Sequence, residues 1–166
     1  MDKSPAPKVA YVTSPGNNEH CLFDVLRDDY EPWLCVSATS RSFNCYTIKN
    51  GEKILVGLPV YHLSGLWILD VFIHTRNVFS GLFRAAGTPL DIAIVDSPPF
   101  CLMALRYRRL GLIRKVVYFA SDWLPEDDMT IPLQNRLYRR FVHQRLDIFC
   151  ARRADKGLRY SCQAWL

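Results

Sequence analysis

Short, wholly apolar runs alternate along this chain with longer stretches of helical period, and that alternation predicts an α/β architecture. Val9 to Thr13 (VAYVT) is apolar without a polar face, as in a strand covered on both sides, and it stops at the turn-rich Ser14-Pro15-Gly16-Asn17-Asn18. Asn18 suits the cap of a short helix running to about Arg27, with Cys21, Leu22, Val25 and Leu26 inward. Trp33 to Ala38 supplies a second strand. From Ser42 to Val60 two apolar segments flank Lys49-Asn50-Gly51-Glu52, and Asn-Gly there predicts a β-hairpin, an insertion near residues 42–60 that departs from strict βα alternation. Leu66, Leu69, Ile73, Phe79 and Phe83 are spaced for the buried face of a helix from about Leu66 to Ala85, which Gly87-Thr88-Pro89 ends.

The stretch from Asp91 to Glu126 organises the rest. An apolar run (Asp91 to Asp96) breaks at Ser97-Pro98-Pro99, a helical segment follows, and a second apolar run (Val116 to Ala120) stops at Ser121-Asp122. This is the pattern of a βαβ unit, whose right-handed crossover makes the two strands parallel. Its helix is expected to turn Met103, Tyr107 and Leu110 inward and Arg106, Arg108 and Arg109 to solvent. Beyond the acidic Glu126-Asp127-Asp128, a helix is expected from roughly Pro132 to Arg153, with Tyr138, Val142, Leu146, Phe149 and Cys150 inside, and a last strand within Gly157 to Trp165. The sum is a Rossmann-like, mostly parallel sheet with helices on both faces. In such sheets ligands gather beyond the carboxyl ends of the strands, so Asp96-Ser97 and Ser121-Asp122 fall on one rim.

Ser97-Pro98-Pro99 after one strand, and Asp122-Trp123-Leu124-Pro125-Glu126 after the next, resemble the N-terminal half of family 4-type glycosyltransferases of the GT-B fold. The order Asp-Trp-Leu-Pro differs from the Asp-x-Trp-Pro form found there. The resemblance implies a domain that binds the acceptor, a lipid-linked or polysaccharide hydroxyl, opposite a second domain that grips a nucleotide-sugar donor. With 166 residues the chain is long enough for one domain, so the expectation is a single Rossmann-like unit over 1–166 with the C-terminal donor domain absent and little transferase activity alone.

Composition narrows the classes. With 49% hydrophobic and 22% charged residues the chain is globular rather than disordered. Residues 106–166 hold 13 Lys or Arg against 6 Asp or Glu, whereas residues 1–105 hold 8 against 10, so the basic character belongs to the C-terminal third. The six cysteines (Cys21, Cys35, Cys45, Cys101, Cys150, Cys162) form no CxxC, and His20, His62, His74 and His143 are scattered, so no metal site is expected and no cofactor is implied. Unpaired cysteines and an N-terminus without an apolar core suggest a cytoplasmic protein. Leu63 to Phe83 is interrupted by Asp70, His74, Arg76 and Asn77 and does not read as a membrane span.

Glycosyl transfer to a hydroxyl benefits from a carboxylate that takes the proton as the oxygen attacks. Asp122 is the first candidate for that base and Asp96 the second, each weighed against a plain capping role. Retaining relatives often place a His where this chain has Ser121, so the stereochemistry stays open. Ser14, Gly16 and Asn17 resemble the loop that closes near acceptor and donor phosphates, with Ser97 and Ser121 beside it, although only one glycine is present and a simple turn explains the same residues. Arg106, Arg108 and Arg109, with Arg136, Arg139 and Arg140, suggest a basic patch for an anionic membrane, on the inner face as a peripheral protein, or equally a solvated helix face. No RRM aromatic motif or KH-type GXXG loop accompanies the charge, so nucleic acid is not expected. The competing class is a non-catalytic Rossmann-like interaction module that docks to a protein or membrane through the basic helices.

Overall fold

The computed structural model describes residues 6–13, 31–36, 42–49, 52–59, 67–120 and 144–159, with side chains at 6–13, 72–119 and 145–156. In chain order the elements are β1 (Lys8–Thr13), β2 (Glu31–Val36), β3 (Ser42–Lys49), β4 (Glu52–Pro59), α1 (Trp67–Ala86), β5 (Leu90–Val95), α2 (Pro98–Arg109), β6 (Ile113–Ala120), α3 (Gln144–Arg153) and β7 (Lys156–Arg159). The strands form one sheet in the order β4-β3-β2-β1-β5-β6-β7. β2, β1, β5, β6 and β7 run parallel, while β3 pairs antiparallel with both β2 and β4. This is an open α/β, Rossmann-like sheet, as the alternation of short apolar runs and helical periods predicts. Asn50-Gly51 lies outside the described residues, as do the helix expected over 18–27, residues 132–143 of the last expected helix, and the tail from Tyr160.

Alternation along the strands explains where the core sits. Ala10, Ala93 and Val116 are register partners, and so are Val12, Val95 and Tyr118; all six are buried in one cluster with side chains from the three helices. The described helices therefore line one side of the sheet, with α2 packed between α1 and α3. Two alanines in the first of those rows let α2 approach the sheet closely. Val9, Tyr11 and Thr13 point the other way and are also buried, so β1 is covered on both faces, as its unbroken apolar run requires.

The inner stripe of α1 is Thr75, Val78, Phe79, Leu82 and Ala86, an i, i+3/i+4, i+7, i+11 series. Phe79 lies in it as expected. Phe83 and Ile73 sit on its flank, half-buried, and Phe83 packs edge-on against Tyr107 with ring centroids 4.9 Å apart. Gly87, with φ of 72°, ends the helix, its N–H donating to the Phe83 carbonyl at 2.9 Å.

α2 begins at Ser97, an extended N-cap residue, with Pro98 and Pro99 in the first two helical positions, where a missing N–H costs nothing. It buries Phe100, Cys101, Met103, Ala104 and Leu105. Two sequence expectations need correcting here. Leu110, expected inside, is the C-cap and 62% exposed, because the helix ends before it and Gly111 (φ 74°) turns the chain away. Phe149 on α3, also expected inside, is 42% exposed, because Cys150 takes the central buried position and rotates its neighbour outward.

Candidate functional site

The rim predicted to bind ligand lies beyond Thr13, Val95 and Ala120, the last residues of β1, β5 and β6. β5 is hydrogen-bonded between the other two, with Val95 level with Val12 on one side and Tyr118 on the other. Sequence reasoning thus places the Asp96-Ser97 tip beside the end of β6, and the structure brings those two strand ends together. Ser121 and Asp122 follow directly on β6 but lie outside the described residues, as do Ser14, Gly16 and Asn17.

Asp96 is only 2% exposed. The Thr13 hydroxyl donates to its Oδ2, and its backbone N–H reaches the Val12 carbonyl at 3.4 Å. These contacts tie the tips of β1 and β5 together. The carboxylate makes no cap for α2: Ser97 is the N-cap residue, and its own side chain makes no capping hydrogen bond. Asp96 thus lies enclosed at the floor of the rim, bonded to Thr13 across the tips of β1 and β5. Sequence reasoning missed its partner Thr13, although a hydroxyl closing an otherwise apolar run is the available signal.

α2 starts at the same rim, yet it is a poor cradle for phosphate. A helix N-terminus binds anions through its unpaired first-turn N–H groups, and here two of those positions are prolines without one. The corner formed by Ser97, Pro98 and Pro99 is stiff and short of N–H donors, which disfavours a diphosphate at this helix start.

Behind the rim, under α2 and α3, lies a second polar cluster. The Tyr118 hydroxyl donates to Oδ1 of Asp147, and burial together with that carboxylate pushes the phenol up from its ordinary range. Cys101 and Cys150 are both free and fully buried. The Cys150 thiol and burial push the Cys101 thiol up, so it stays protonated and is no nucleophile. The Cys150 thiol in turn points at the Pro98 carbonyl, 3.8 Å away.

The arginines lie elsewhere. Arg106, Arg108 and Arg109 occupy the last turn of α2, a helix of 12 residues or about 18 Å from the rim. Arg106 and Arg109 are exposed. Arg108 is ion-paired with Asp155 at 2.7 Å, and the same carboxylate oxygen accepts the Val116 N–H at 2.7 Å. Partial burial raises the Asp155 carboxyl, but the Val116 N–H and the Arg108 guanidinium outweigh it and hold the group below the usual carboxylate range. Arg136, Arg139 and Arg140 lie outside the described residues. No group of three or more potential metal-ligating side chains occurs among the described residues, and no described helix is long and apolar enough to cross a membrane.

No protein-family model matches the chain, and no curated protein matches it. Two solved structures are similar to it at low levels. One is the catalytic domain of starch synthase IV from Arabidopsis thaliana, bound to ADP and acarbose, with 12% identity, a TM-score of 0.44, and 70% of this chain and 34% of that one covered. The other is a secreted C11 cysteine protease from Bacteroides thetaiotaomicron, with 8% identity, a TM-score of 0.34, and 79% and 36% covered. The chain spans about a third of the length of each.

Proposed function

We propose that this chain is the acceptor-binding half of a GT-B glycosyltransferase, moving a sugar from a nucleotide-sugar to a hydroxyl of a lipid-linked or polysaccharide acceptor. The observation that carries the reading is that β5 and β6 are parallel neighbours, so the Ser97-Pro98-Pro99 corner and the Asp122-to-Glu126 cluster begin from adjacent strand ends. In this reading Asp122 is the general base: it takes the proton of the acceptor hydroxyl as that oxygen attacks the anomeric carbon and the nucleoside diphosphate departs. Asp96, enclosed and held by Thr13, is a positioning residue that fixes the rim rather than a group that touches substrate. The donor is gripped by a second α/β unit, in keeping with the shortage of N–H donors at the start of α2.

Ligand-observed NMR on this chain tests the proposal. Saturation should pass to oligosaccharide or polyprenyl-phosphate-sugar acceptors and not to a nucleotide-sugar such as UDP-glucose. Ser97→Trp should abolish the transfer, and Asp122→Asn should leave it intact. Tight binding of UDP-glucose by this chain, or indifference of every acceptor to Ser97→Trp, would overturn the reading. A non-catalytic interaction module is the second reading, favoured by one observation: the outer side of the helix layer exposes Phe72, Leu102 and Phe149 among arginines.

A further inference from the structure

The same short pattern recurs on the outer side of all three described helices. Phe72 precedes Arg76 on α1, Leu102 precedes Arg106 on α2, and Phe149 precedes Arg153 on α3, each one turn apart. Between α2 and α3 these side chains enclose a furrow of about 300 Å³, walled by Leu102 and Phe149, floored by Leu105 and edged by Arg106, Arg109 and Arg153. Arg153 stands over the Phe149 ring at 5.6 Å, which holds its guanidinium at the furrow's edge. The carboxylates near the furrow already have partners. Asp147 accepts from Tyr118, and Asp155 is shared by Arg108 and the Val116 N–H. Among the described residues, Arg106 and Arg109 have no carboxylate in contact, so the edge keeps its positive charge.

We propose that this furrow is a docking groove for an acidic amphipathic helix of a protein partner, with its apolar stripe on Leu102, Leu105 and Phe149 and its carboxylates on Arg106, Arg109 and Arg153. The choice of occupant follows from shape and sign. A second copy of this chain related by a two-fold axis would bring arginine against arginine. A bilayer meets a surface as a plane and cannot reach Leu105, which is 8% exposed at the furrow's floor. A rod carrying apolar side chains at i, i+3, i+4 and i+7 fits between two parallel ridges, and the length of α2 matches about three turns of it. Arginine forks hold carboxylates in pairs, which gives such a helix one register. The groove uses none of the rim residues assigned to sugar transfer, and its arginines lie toward the far end of α2, so this inference stands independently of that reading.

The test uses the whole chain and a fluorescein-labelled synthetic helix about four turns long, with leucines on one stripe and glutamates beside it. Fluorescence anisotropy should show saturable binding, weakened about tenfold or more by Arg106→Glu together with Arg153→Glu, and the same peptide with lysines for glutamates should not bind. Because the charge reversals could disturb folding, a benzoylphenylalanine placed at Leu102 should crosslink to the glutamate peptide and not to the lysine one, with the circular dichroism unchanged. Equal binding of both peptides, equal affinity of the reversed variant, or sedimentation with phosphatidylserine-rich vesicles in place of peptide binding would overturn the proposal.

Discussion

Asp96 and Asp155 show how differently two carboxylates are used at opposite ends of the sheet. Asp96 is enclosed and takes the Thr13 hydroxyl. Removing that donor while keeping shape leaves a desolvated oxygen poorly served, so Thr13→Val should cost about 1–3 kcal/mol in urea unfolding while Thr13→Ser costs much less. Equal losses in the two variants would mean that the hydroxyl does not hold Asp96. Asp155 is exposed, and its carboxyl is held low by the Val116 N–H and Arg108. A lowered folded-state value stabilises the fold above the ordinary carboxylate range, and that contribution disappears as pH falls through the lowered value. Asp155→Asn should therefore flatten the acid side of the stability profile, measured as urea midpoint against pH, and an unchanged profile would contradict the assignment. That Asp96 terminates a strand can be seen in the sequence; that its carboxylate turns inward to a threonine 83 positions away cannot, because the pairing of β1 with β5 is not a local property.

At the scale of elements, helix ends are the most legible features. Gly87 and Gly111 both take positive φ, 72° and 74°, after α1 and α2. An added Cβ would meet only Lys8 Nζ at 3.5 Å in the first case and nothing within 4 Å in the second. Steric room being ample at both, the cost of Gly→Ala is backbone strain alone and should be about 1 kcal/mol at each, read from thermal or urea unfolding. A large difference between the two sites would show that something other than φ decides. The rotation of helices about their axes was less legible. Periodicity points to Leu110 and Phe149 as inner residues, yet one lies past the last turn of α2 and the other yields the centre of α3 to Cys150. An apolar residue at the border of a stripe reads the same as one in its middle until the neighbouring helix is in place.

Over the whole molecule, the placement of β1 at the middle of the sheet was implied only by its unbroken apolar run. The strand order, which puts β2 and β5 on either side of it, follows from long-range pairing. The pairing of β6 with β7 at the edge depends in turn on one acidic side chain. Asp155 accepts the Val116 N–H and returns its own N–H to the Val116 carbonyl at 2.8 Å, while Arg108 grips it from the helix surface. The exterior of the protein is thus wired to an amide inside the sheet. Deuterium exchange at Val116 should quicken roughly two- to fivefold in Arg108→Gln and stay unchanged in Arg109→Gln. The same amide becomes an internal gauge of whatever competes for Arg108 outside: a visitor's carboxylate that draws the guanidinium away would be registered as faster isotope uptake, without a probe being attached anywhere near the contact.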